Sequence, residues 1–107
     1  LAAYADKHSI PLISSMGTGN KLHPELFRIS DLKDTSVCPL CRVMRKELKT
    51  RGIQSLKVCW SPEKPLTPAP AEEDTGSSRA TPGSISFVPP AAGLMITGEI
   101  VRTICGL

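Results

Sequence analysis

The run IPLISS, residues 10–15, constrains this chain more than any other stretch, because its apolar residues do not alternate with polar ones and turn formers bound it. A short continuous apolar run of this kind reads as a strand covered on both faces, as central strands of parallel sheets are. Such a strand cannot be solitary. The preceding residues 1–8 place Leu1, Ala2, Tyr4 and Ala5 around Asp6 and Lys7, the pattern of a helix's last turns. Helix then strand is half of a βαβ unit, so the pairing strands are expected upstream of Leu1 and the chain is expected to be an incomplete fragment of an α/β sheet.

Downstream, residues 26–32 alternate loosely, as a half-exposed strand does. Residues 35–51 form the best helix: Thr35 or Ser36 offers a capping oxygen, Pro39 suits the first turn, and Gly52 stands where a left-handed cap is wanted. Leu40, Val43, Met44 and Leu48 share one expected face, and Arg42, Arg45, Lys46 and Lys49 the opposite one. Residues 56–60 alternate as a strand, with Leu56, Val58 and Trp60 on one side. A short strand at 85–88 and a closing helix at 90–104, ending at Gly106, complete the reading. That last helix is apolar nearly all round and expects cover on several sides.

Between these lies SPEKPLTPAPAEEDTGSSRATPG, with five prolines, an acidic cluster and little to bury. The expected organisation is therefore an α/β segment over 1–60, a Pro-rich acidic mobile insert over 61–83, and a strand and closing helix of the same domain over 84–107. Charge follows the same division. Residues 1–60 carry ten Lys/Arg against five Asp/Glu, so the part expected to fold is the basic part, suited to polyanionic partners. No run approaches the roughly 18 apolar residues of a membrane span. Four cysteines without a signal peptide point to a reducing, cytoplasmic setting.

Cys38 and Cys41, in CPLC, have the spacing of half a zinc site or of a thiol–disulfide pair at a helix N-terminus. Zinc is not expected, because no second pair accompanies them; two packed or half-exposed thiols remain the plain alternative. GTGN, residues 17–20, lacks the pattern of a phosphate-binding loop. Ligands of open α/β sheets nevertheless bind at the C-terminal ends of strands, which makes Gly17, Gly19, Asn20, Lys21 and His23 the expected substrate-facing loop. The basic stripe is either a solvated helix face or a phosphate-contacting one. No paired carboxylates or Ser–His–acid set can be argued.

Three stretches together, IPLISSMGTGNKLHPELFRISDL, TSVCPLCRVMRKELKTRGIQSLKVCWSPEKP and PGSISFVPPAAGLMITGEIVRTICGL, resemble the C-terminal half of the ThiF/MoeB/HesA superfamily of Rossmann-like adenylating enzymes, and most closely its tRNA threonylcarbamoyladenosine dehydratase branch. The resemblance implies a parent enzyme that uses ATP and Mg2+ to adenylate, then cyclise, the threonylcarbamoyl group of a tRNA adenosine. It places the nucleotide and magnesium residues in a missing N-terminal half, and it implies a homodimer and a tRNA partner. On this reading Arg42, Arg45, Lys46 and Lys49 contact tRNA phosphates and no catalytic residue lies in the fragment, Cys38 being the nearest candidate. The alternatives are an activator of a sulfur-carrier or ubiquitin-like protein and a non-enzymatic basic RNA-binding module.

Overall fold

The computed structural model describes residues 1–67 and 83–107. Helix α1 (Ala2–Lys7) leads to strand β1 (Ile13–Ser15); β2 (Arg28–Asp31), α2 (Pro39–Thr50), β3 (Lys57–Trp60) and α3 (Pro89–Cys105) follow, with 3-10 turns at Pro24–Leu26 and Leu32–Asp34. The sheet order is β1-β3-β2. Strand β1 runs parallel to β3, with Ile13 opposite Lys57 and Ser15 opposite Cys59, whereas β2 is antiparallel, with Ile29 opposite Cys59. The α/β class expected from the sequence is the one adopted.

Strand β3 is central and covered on both faces. Leu56, Val58 and Trp60 pack with Met16, Leu32, Leu48 and Ile53 on the α2 side, while Cys59 packs with Phe27, Val88 and Ala92 on the α3 side. The expected alternation of Leu56, Val58 and Trp60 therefore holds. Trp60 is also fixed in orientation, its indole N–H donating to Ser30 Oγ at 2.8 Å.

Strand β1 has a partner downstream, β3, because α2 serves as the crossover helix that a parallel pair requires, while its other edge is open among the described residues. Three expectations need correction. The doubly covered strand is β3 rather than β1, whose Ile13 and Ser14 are only half-buried and whose second edge has no partner among the described residues. Helix α2 begins at Pro39 because Thr35 belongs to the preceding 3-10 turn, where its Oγ1 donates to the Leu32 carbonyl; the N-cap is Cys38. Residues 85–88 form a turn, and Val88 is fully buried as it leads into α3.

The buried face of α2 is also rotated from the one expected. Cys41 and Leu48 are buried with Met44 partly so, whereas Leu40 and Val43 are exposed. Cys41 and Leu48 lie seven residues apart, two full turns, and so share one face of the helix. Gly52 closes α2 with φ +73 and Gly106 closes α3 with φ +69, left-handed geometry that glycine takes without strain.

Candidate functional site

Chain leaving the C-terminal end of β1 runs directly against the N-terminus of α2. Met16 is buried and its N–H donates to the Cys59 carbonyl at 2.8 Å, so the pairing of β1 with β3 carries into the loop. A Cβ added to Gly17 would stand 3.7 Å from Cys38 Sγ and 4.0 Å from Lys21 Nζ. Both groups thus flank one small residue. Lys21 is 4% exposed, unusual for lysine, and among the described residues no carboxylate pairs with it.

The same loop is clasped by chain from beyond β3. The Glu63 carboxylate accepts from the Leu22 N–H at 2.9 Å and the His23 N–H at 2.8 Å. Asn20, at φ 58, donates its N–H to the Gly83 carbonyl, accepts the Gly83 N–H on Oδ1 and accepts the Leu66 N–H on its own carbonyl. Asparagine suits that left-handed position. Within residues 61–66, Ser61 is fully buried and its Oγ accepts the Glu63 N–H at 3.1 Å, while Lys64 and Leu66 are exposed. The rest of the expected insert, 68–82, lies outside the described residues.

At the N-terminus of α2 the two thiols have opposite character. Burial raises the Cys38 thiol, but the N–H groups of Cys41 and Gly17, the Cys41 thiol and the Lys21 ammonium outweigh it and hold Cys38 below the ordinary thiol value. Burial, then the neighbouring Cys38, pushes Cys41 up to about 11. Val37, immediately before them, has φ 67, a strained conformation for a β-branched residue.

The expected phosphate-contacting residues divide in two. Arg42, Lys46 and Lys49 are exposed at i, i+4 and i+7, one stripe of α2. Arg45 is half-buried, and its guanidinium donates to the Thr35 carbonyl at 2.9 Å and to Thr35 Oγ1. A cleft of about 650 Å³ beside the stripe is lined by Val37, Cys38, Pro39, Arg42 and Lys46. In the expected substrate-facing loop, Gly17, Gly19 and Asn20 are half-buried, Lys21 is buried and His23 is exposed, with its Nδ1 2.8 Å from Glu25. Sequence reasoning missed Glu63, which sits 40 residues from its partner N–H within a stretch whose composition points to solvent.

Among the described residues no group of three or more His, Cys, Asp and Glu side chains could hold a metal ion, and no helix is long and apolar enough to cross a membrane.

No family model matches the chain. Among curated proteins it is 36% identical over 104 residues to the tRNA threonylcarbamoyladenosine dehydratase of Bacillus subtilis, covering 89% of this chain and 41% of that protein. It is 44% identical over 80 residues to tRNA threonylcarbamoyladenosine dehydratase 2 of Saccharomyces cerevisiae, covering 68% of this chain and 18% of that one. The chain thus spans under half the length of these relatives. Among solved structures, that of the E. coli tRNA N6-threonylcarbamoyladenosine dehydratase TcdA matches with a TM-score of 0.83 at 22% identity, over 99% of this chain and 43% of that one. The complex of TcdA with ATP matches with a TM-score of 0.80. The α/β arrangement described above is therefore the fold of under half of such a chain.

Proposed function

We propose that this chain, whose homologues are tRNA threonylcarbamoyladenosine dehydratases, is the C-terminal part of an ATP-dependent enzyme that adenylates and cyclises the threonylcarbamoyl group of a tRNA adenosine. The observation that supports the reading is the extent of the match to the Bacillus subtilis protein, 36% identity over 89% of this chain.

In that chemistry ATP supplies the adenylyl group that turns a carboxylate oxygen into a good leaving group. The residues described here do not make a site for it. Lys21 is enclosed against Gly17 and Cys38, and no carboxylate cluster for Mg2+ exists among the described residues. On this reading the nucleotide and its metal are held by the rest of the domain. What this segment contributes is placement. Its β1 edge, open among the described residues, is where the remaining sheet continues, and the stripe of Arg42, Lys46 and Lys49 is where tRNA phosphates lie. Leu94 and Ile104 of α3, at 73% and 79% exposure, and Leu107 beyond its end, at 88%, leave an apolar outer surface that a homodimer would cover in the cytoplasmic enzyme.

Binding to the full-length enzyme separates the substrates. A tRNA bearing threonylcarbamoyladenosine is expected to bind at least about tenfold tighter than a peptide ending in Gly-Gly, because only the tRNA supplies several phosphates to the stripe. Tighter binding of the Gly-Gly peptide would make the enzyme an activator of a carrier protein instead.

A further inference from the structure

Lys21 raises a question that the proposed function does not answer. Lys21 as a whole residue is 4% exposed, and no carboxylate among the described residues pairs with it. Beside it, across Gly17, stands Cys38 Sγ. Cys38 is the N-cap of α2, where unpaired N–H groups favour negative charge. Two independent features, a buried cation and a helix N-terminus, therefore converge on one sulfur.

Cys41 stands three residues on, fully buried. Residues three apart in a helix bring their Cβ atoms to about 5–6 Å, close enough for a disulfide after a small adjustment of the first turn. Small solutes reach the pair from the Cys38 side, since Cys38 and not Cys41 lines the cleft of about 650 Å³ beside Arg42 and Lys46.

We propose that Cys38 and Cys41 form a peroxide-responsive dithiol–disulfide site, with Cys38 as the attacking thiolate, Lys21 as its positioning counter-charge and Cys41 as the resolving thiol. The Cys38 thiolate attacks one peroxide oxygen; an S–O bond forms, the O–O bond breaks, and the departing hydroxide takes a proton from solvent to become water. Cys41 sulfur then attacks the sulfenic sulfur of Cys38; the S–S bond forms, the S–O bond breaks, and the second hydroxide leaves as water with the Cys41 proton. Two electrons pass from the two sulfurs to one peroxide, giving a disulfide and two waters. The trend of the two thiols, one held low and the other high, supports this division of roles. The inference is independent of the proposed tRNA chemistry.

Trypsin releases both cysteines in one peptide, residues 34–42, which makes the product easy to read. After brief hydrogen peroxide treatment of the folded protein, that peptide is expected to be lighter by two hydrogens, with Cys59 still a thiol. Lys21→Met is expected to slow disulfide formation about tenfold at pH 7 and Lys21→Arg to restore most of the rate. The rate should show its pH inflection lower in folded than in urea-unfolded protein. Cys41→Ser should trap Cys38 as a sulfenic acid that dimedone labels. Equal rates for Lys21→Met and wild type, an unchanged inflection on unfolding, or absence of both the light peptide and the dimedone adduct would each overturn the proposal.

Discussion

Replacing Arg42, Lys46 and Lys49 together by glutamate in the full-length enzyme is expected to weaken tRNA binding about 100-fold at moderate salt and to flatten the salt dependence, each lost phosphate contact removing about 0.7–0.9 from the slope of log K against log[salt]. These three side chains are exposed on a single stripe and hold no hydrogen bond or ion pair among the described residues, so their reversal changes surface potential and little else. Arg45 belongs to a different experiment. Its guanidinium is committed to Thr35, so Arg45→Glu would disturb the entry to α2 as well as the charge of the stripe. ATP affinity should remain at the wild-type level. Weaker tRNA binding with an unaltered salt slope would mean that the stripe does not meet phosphates.

The largest loss of stability is expected at Trp60. Truncation to alanine empties the α2 side of the central strand, where Trp60 is 4% exposed among Met16, Leu32 and Val58. Burial of that kind is worth about 3–5 kcal/mol, a large fraction of the roughly 5–15 kcal/mol that holds a domain together. The hydrogen bond contributes less, because Ser30 Oγ already donates to the Asp31 carbonyl at 3.1 Å and keeps that bond without the indole. Trp60→Phe, which retains most of the buried surface, should therefore cost only about 1–2 kcal/mol. Urea unfolding followed by far-UV circular dichroism distinguishes the two. Equal losses for both variants would place the stabilisation in the hydrogen bond.

Elements with local signals were legible in the sequence. The Pro-Pro start and Gly106 end of α3, the Gly52 cap of α2 and the alternation through Trp60 all lie within a few residues of what they determine. What escaped depends on distant parts of the chain. Nothing in residues 10–15 says that their neighbour is β3, since an apolar run specifies burial and not the direction from which cover comes. The start of α2 shifted to Pro39 because the Thr35 hydroxyl prefers the carbonyl of a turn that periodicity does not reveal. Hydropathy puts Leu40 and Val43 on the core face, yet both are exposed and Cys41 is fully buried. The cysteine pair, the flanking lysine and the loop glycine were each visible; that they meet was not.

In the proposed function, this segment positions tRNA for chemistry completed by the remainder of its domain. Its most direct test is nucleoside mass spectrometry of tRNA incubated with the full-length enzyme and ATP. The expected result is loss of one water from threonylcarbamoyladenosine with one AMP released per nucleoside converted. An unchanged nucleoside, with AMP appearing instead on the C-terminal carboxylate of a carrier protein, would contradict it.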